Sequence, residues 1–268
     1  VTWWLNYYER EKMPEYKFIR FEILEGVANI IFDRPKHNVF NIEMLGELNS
    51  VLEGLTKDTE IKCVVFRAQG PSWCAGVDVG DHKPELVDQM ISTFNRVFEL
   101  TDRIEVPTIA AVQGACLGGG MEAAIACDII IASKKALFGQ PEIKLGFLPP
   151  YAAIRLPHLI GPAKAIEICA TGKIYTAEDA RMMGFVSRVA EDDKFASEVD
   201  ACVKEICACS PLIIRLNKRA VKQNIGKDFS KSINDVSDLF LNTLMKTEDT
   251  LEGINSFYEK RKPAWKNR

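Results

Sequence analysis

Histidine is scarce in this chain, a C-x-x-C pair is missing, and the longest apolar stretches are far too short to span a bilayer. Each absence excludes a class of function. The 3 histidines, His37, His82 and His158, have no metal-ligand spacing to one another. The 8 cysteines are scattered, the closest pair being Cys207 and Cys209, and most fall in apolar stretches where a thiol acts as a small hydrophobe. Reduced core cysteines of a cytoplasmic protein fit this pattern better than disulfides or a metal site. Basic residues are not in excess. Lys+Arg total 34 against 37 Asp+Glu, a formal net charge of -3, which speaks against a dedicated nucleic-acid binder. No dinucleotide pattern with a downstream ribose-binding acid follows the glycine run at 118–120. The expectation is therefore no metal, no flavin and no nicotinamide. No signal-peptide pattern opens the printed sequence, and Val1 stands first rather than Met. Met13 precedes a clear strand pattern, so the N-terminal extension, residues 1–15, has two readings: an upstream GTG start translated literally, with Met13 the functional start and 1–12 not native, or a real extension. In the second case Trp3, Trp4, Tyr7 and Tyr8 are apolar enough to dock.

What is present is ordinary in bulk and unusual in two places. Hydrophobic content is 47% and charged content 26%, as in a soluble globular protein. The unusual places are Glu122 and Glu142. Glu122 follows Cys116-Leu117-Gly118-Gly119-Gly120-Met121 and leads into Ala123-Ala124-Ile125-Ala126-Cys127, a helix apolar all round. A carboxylate there is costly without a task or a partner. The preceding glycines let backbone N–H groups approach a bound oxygen at a helix N-terminus. Glu142 closes Phe138-Gly139-Gln140-Pro141-Glu142, where a plain first-turn acid after proline is the blander reading. An oxyanion site beside a buried acid suits chemistry on a carbonyl compound.

Along the chain, residues 18–24 and 27–32 read as strands joined by Glu25-Gly26, a hairpin signal. Residues 42–55 have helical spacing, with Asn41 as N-cap. Further strands are expected at 63–67, 108–113, 128–132 and 136–138, and helices at 86–104 and 120–127. Past Gly161 every segment reads as helix: 162–170, 177–183, 194–209, 211–224, 229–245 and 247–261. The fold class is α/β, a mixed core followed by a helical tail.

An ordered set of segments resembles the crotonase superfamily, the enoyl-CoA hydratase/isomerase family, from about Tyr16 to the C-terminus. The set is Arg34-Pro35-Lys36, Trp73-Cys74-Ala75-Gly76-Val77-Asp78, Leu117 to Glu122, Phe138 to Glu142, and Leu145-Gly146. The resemblance implies a spiral of ββα turns over 16–190 and a helical region over 191–268 that makes homotrimers, commonly paired into hexamers. It implies an acyl-CoA substrate, with CoA as part of that substrate and no separate cofactor, no nucleic-acid partner and no membrane. By motif position it assigns the oxyanion hole to the N–H groups of Ala75 and Gly119, Glu122 to the attacking water and Glu142 to the proton on carbon. Lys36, His37, Val77, Asp78, Gly118, Pro149, Tyr151, Phe257 and Lys260 are the substrate- and CoA-binding candidates it implies.

Three segments depart from simple hydratases: Val79 to Pro84, Phe147 to Leu156 and Glu259 to Arg268. These look like the cyclohexa-1,5-diene-1-carbonyl-CoA hydratases of anaerobic aromatic (benzoyl-CoA) degradation. In that reading Pro149-Pro150-Tyr151 is a stiff insertion whose tyrosine gives a flat ring a wall, although Tyr151 also fits a core position. Asp81 and His82 read as exposed loop residues. The alternatives are a conventional straight-chain 2-enoyl-CoA hydratase, an isomerase or hydrolase of the same fold, and a non-enzymatic RNA-binding member, which the acidic balance disfavours.

Overall fold

A computed structural model describes residues 15–268. Trp3, Trp4, Tyr7 and Tyr8 of the expected extension lie outside the described residues. Strands β1 (Ile19–Leu24) and β2 (Val27–Phe32) pair antiparallel with Leu24 opposite Val27. Between them Glu25 and Gly26 both have positive φ, 51° and 82°. Two such residues make the tight turn whose twist matches the strands. Strands β3 (Cys63–Ala68), β4 (Thr108–Val112), β6 (Ile129–Ser133) and β9 (Arg188–Ala190) add in parallel, in the order β1-β2-β3-β4-β6-β9. A second sheet, β5-β7-β8, is made of β5 (Ala115–Leu117), β7 (Leu137–Gly139) and β8 (Ile174–Thr176).

The parallel strands are covered on both faces, which is why they read as continuous apolar runs. Val64 and Phe66 of β3 join the main core with helices α1 (Ile42–Leu55) and α2 (Val87–Arg103). The alternate residues Cys63 and Val65 face a second cluster closed by Val199 and Cys202. The Asn41 side chain accepts from the Met44 N–H at 2.9 Å, so α1 starts where its cap is read. Its buried residues Met44, Leu45, Leu48, Val51, Leu52 and Leu55 recur at helical spacing. Leu48→Ala would leave a cavity costing about 2–5 kcal/mol.

The order continues with α3 (Gly119–Ala126), α4 (Pro150–Ile160), α5 (Pro162–Thr171), α6 (Ala177–Met183), α7 (Phe195–Cys207), α8 (Pro211–Lys222), α9 (Phe229–Asp238) and α10 (Glu248–Tyr258). Past Ala190 every element among the described residues is helical. Three expectations need correction. The run Pro149-Pro150-Tyr151 is no stiff insertion but the start of a helix. Pro149 is the cap of α4 and Pro150 its first residue, where a missing N–H costs nothing. The short strands β8 and β9 lie beyond Gly161, where only helices are read, because three residues are too few to show a period. The expected helix 229–245 ends at Asp238 and continues as a π turn, Leu239–Thr243, and a 3-10 turn, Leu244–Lys246. There the Thr247 and Thr250 hydroxyls both donate to the Leu244 carbonyl and close the segment.

The C-terminal region is tied down by a buried acid. Asp249 accepts from the Lys266 and Asn267 N–H groups at 2.7 and 3.0 Å and from the Ser210 hydroxyl. No helix among the described residues is long and apolar enough to cross a membrane.

Candidate active site

The site is built where the chain passes from the large sheet to the small one. The segment Trp73 to Ala75 runs beside β5: Trp73 N–H donates to Gln113, Cys74 N–H to Ala115, and Leu117 N–H back to Cys74. Gly118 then turns the chain with φ 54°, ψ -132°, a conformation that side chains rarely adopt, and its N–H bonds the Gly139 carbonyl at 2.9 Å. Helix α3 begins at Gly119 and is buried along its whole length. A Cβ at Gly120 would fall 2.2 Å from the Cys74 carbonyl oxygen, so close strand–helix packing fixes that residue.

Glu122 faces out of this helix into a cavity of about 640 Å³ while remaining 2% exposed. Its Oε1 accepts from the N–H groups of Tyr151 and Ala152, at 2.7 and 2.9 Å, in the first turn of α4. The partner such a buried carboxylate needs is thus the main chain rather than a distant cation. Burial pushes the Glu122 carboxyl up from 4.5 to about 7, and the charge of Glu142 adds to the rise. The two N–H groups pull the other way.

Glu142 sits on a 3-10 turn, Pro141–Leu145, that follows β7. It lines the same cavity, and burial pushes it too up to about 7. With its side-chain amide turned so that the nitrogen faces the carboxyl, the orientation that satisfies both groups, buried Gln140 donates to both Glu142 oxygens at 3.0 Å. Sequence reading passed over Gln140. The sequence shows a glutamine two residues before that acid, but the burial that turns it toward the carboxyl comes only with the fold. Two carboxyls on one cavity, both poised near neutrality, can share one proton between them.

The expected oxyanion donors divide. Ala75 lines the cavity, but its N–H already donates to the His37 carbonyl at 3.0 Å, so the expectation for Ala75 is corrected. Three residues after His37, Phe40 takes the Gly76 carbonyl with its N–H and gives its own carbonyl to the Asp78 N–H, at 2.9 and 2.8 Å. Backbone groups of an extended segment alternate in direction, so Val77 N–H points away from Phe40. Neither Val77 N–H nor Gly119 N–H has an intramolecular acceptor among the described residues. Both residues line the cavity, and they touch: a Cβ at Gly119 would lie 2.5 Å from Val77 Cγ2.

Of the remaining candidates, Gly118 also lines the cavity. Lys36 and His37 border a separate hollow of about 300 Å³, with His37 Nδ1 2.9 Å from the Ser72 hydroxyl. Asp78 is structural in this chain: it pairs with Arg34 at 3.2 Å and caps Gly80 N–H at 3.0 Å. Pro149 is buried away from the lining. The Tyr151 ring stacks on Phe98, centroids 3.9 Å apart at 11°, and does not reach the lining, so it gives the cavity no wall. Phe257, 78% exposed, and Lys260 lie on the outside of the C-terminal region. His82, read as an exposed loop residue, instead lines the cavity with Phe94 and Phe147. Asp81 accepts from the Ile42 N–H at 2.8 Å and holds the start of α1. No group of three or more His, Cys, Asp or Glu among the described residues is placed to hold a metal.

The sequence profile described as Enoyl-CoA hydratase/isomerase matches residues 22–268. A probable mitochondrial enoyl-CoA hydratase of Dictyostelium discoideum is 34% identical over 245 residues, covering 90% of this chain and 88% of the relative. A cyclohexa-1,5-dienecarbonyl-CoA hydratase of Thauera aromatica is 31% identical over 236 residues, 88% of this chain and 91% of the relative. The crystal structure of an enoyl-CoA hydratase from Bacillus anthracis superposes with a TM-score of 0.89 at 28% identity, over 94% of this chain and 100% of that one.

Proposed function

We propose an acyl substrate from a plain premise: the chain belongs to the enoyl-CoA hydratase/isomerase family and is a hydro-lyase that adds water to an unsaturated acyl-CoA. The acyl group we infer is cyclohexa-1,5-diene-1-carbonyl, hydrated to 6-hydroxycyclohex-1-ene-1-carbonyl-CoA. The Thauera aromatica relative supports it, as do the segments Val79 to Pro84 and Phe147 to Leu156. Straight-chain 2-enoyl-CoA is the second reading, kept open because the Dictyostelium discoideum relative's name specifies no particular enoyl group.

The observation that carries the hydratase reading is the pair Glu122 and Glu142, both near 7, on one cavity with two uncommitted N–H groups. The thioester oxygen rests on Val77 and Gly119 N–H, where negative charge develops as the enolate forms. Glu122, fixed through Oε1, orients water and takes its proton. The water oxygen bonds to the β carbon of one double bond. Electrons move through the thioester into the second double bond, and Glu142 delivers a proton to the γ carbon at its far end. One carbon–oxygen and one carbon–hydrogen bond form, one double bond remains, and no electrons are gained or lost. The chemistry therefore calls on no redox cofactor.

For the assembly, a homotrimer or homohexamer in the cytoplasm is our reading. The outward-facing apolar residues Phe229, Phe240, Leu241 and Phe257 of the C-terminal region support it. Phe257 and Lys260 would then meet CoA bound to a neighbouring copy. Light scattering in solution tests the assembly, and a monomer would exclude it. The substrate is tested by kcat/KM for cyclohexa-1,5-diene-1-carbonyl-CoA and crotonyl-CoA in one preparation. A strong preference for the diene is expected. Equal or better hydration of crotonyl-CoA would leave the straight-chain reading in its place.

A further inference from the structure

We propose that His82 and Phe147 determine acyl specificity, presenting a tilted pair of ring faces on which a flat, ring-bearing acyl group stacks. The proposal rests on the cyclic-substrate reading above and places its selectivity in residues other than Tyr151.

His82 ends the 3-10 turn Val79–His82, which continues directly from Val77 and Asp78. Phe147 follows the Glu142 turn, and its N–H donates to the Glu142 carbonyl at 3.0 Å. The two rings meet with centroids 4.8 Å apart and planes at 39°. They therefore join the segment carrying one oxyanion donor to the segment carrying the proton donor. Both line the cavity.

The orientation of His82 is fixed from behind. Its Nδ1 lies 2.9 Å from the Asp78 carbonyl oxygen. A carbonyl only accepts, so Nδ1 carries the hydrogen and the ring cannot spin freely. Asp78 is itself held by Arg34 and by Gly80 N–H. Apart from Phe94 near the glycine run, the rest of the apolar wall is aliphatic, including Val79, Met90, Ile91 and Leu148. Such a wall accepts a hydrocarbon of any shape. Aromatic faces add a preference for planar, π-bearing groups, since such contacts favour offset-stacked or edge-to-face geometry. A conjugated six-membered ring offers that face, and a crotonyl chain offers much less of one. Preorganised rings also lose little freedom on binding.

The test is kcat/KM for the cyclic diene and for crotonyl-CoA in the unmodified protein, His82→Leu, Phe147→Leu and His82→Phe. Each leucine variant is expected to lower the diene-to-crotonyl ratio about tenfold, mainly through KM for the diene. His82→Phe keeps a ring while losing the Asp78 hydrogen bond, and is expected to keep the ratio. A ratio unchanged in both leucine variants overturns the proposal. So does an equal loss in His82→Phe and His82→Leu, which would make His82 merely a support of its turn. If the unmodified protein already hydrates crotonyl-CoA as well as the diene, the substrate reading fails and this one with it. A diene preference that survives the leucine variants fails this proposal alone.

Discussion

Gly118 lies against Glu142 so closely that a Cβ on the glycine would come within 2.6 Å of the Glu142 Oε1. The residue that turns the chain into α3 thus also sets where the second carboxyl stands. Gly118→Ala forces two changes. The backbone must leave φ 54°, ψ -132°, or bear strain of about 1–3 kcal/mol. The Glu142 side chain must swing aside. The expected result is a folded protein with turnover down about a hundredfold or more, checked by kcat together with a thermal melt. Unchanged kcat would mean that Glu142 has freedom to spare.

Glu122→Gln and Glu142→Gln are each expected to slow hydration at least about a hundredfold with folding intact, the usual weight of a general acid or base. The unmodified enzyme should show a bell-shaped kcat/KM profile, since one carboxyl must be charged and the other protonated. With both near 7, the maximum falls near neutrality. A profile flat from acid to alkaline pH would take the two carboxyls out of the proton transfers.

Stability should also record Glu122. Its folded-state value, about 7, lies above the ordinary 4.5, so the folded protein holds this proton more tightly than the unfolded chain does. The associated stability is full below about pH 4.5, falls as pH rises, and is gone above about 7. At about 1.4 kcal/mol per tenfold in proton affinity, the difference is about 3 kcal/mol. Glu122→Gln keeps an oxygen for the Tyr151 and Ala152 N–H groups and removes the titration. Its gain in Tm over the unmodified protein should therefore be larger at pH 8 than at pH 5. A gain independent of pH would show that the carboxyl is not held neutral by burial.

Replacing a backbone N–H by an ester oxygen separates the candidate oxyanion donors. At Val77 or at Gly119 the replacement is expected to cost about 10²–10³ in kcat. At Ala75, whose N–H is committed to His37, it should act chiefly on stability. The reverse pattern, with kcat lost at Ala75 and kept at Val77, would restore the motif-based assignment.

Much of the frame was legible because its causes are local. Asn41 caps α1 with its own side chain, and the pair Glu25-Gly26 makes its own turn. Glu122 stood out because a carboxyl in an apolar helix is costly without a task or a partner. What was hidden depends on chain segments far apart in sequence. That Tyr151 stacks on Phe98 is decided by how α4 meets α2. That Ala75 N–H is spent on His37 is decided by a loop thirty-eight positions earlier, so spacing within the motif could not separate Ala75 from Val77. His82 looked exposed because nothing in its neighbours announces Phe147. Proline at 149 and 150 suggested a stiff insertion, although its lack of an N–H is harmless at a helix start.

The anchoring of Glu122 on main-chain N–H groups has a consequence for evolvability. Donors at 151 and 152 belong to the backbone, so they persist whatever side chains occupy those positions, with proline the exception because it deletes one. The acid is therefore insulated from drift in the very helix that abuts the pocket. A library varying residue 151 should contain many members that keep the hydration chemistry, while proline there should be depleted from the active fraction. The packing of this helix can then change without rebuilding the base it holds.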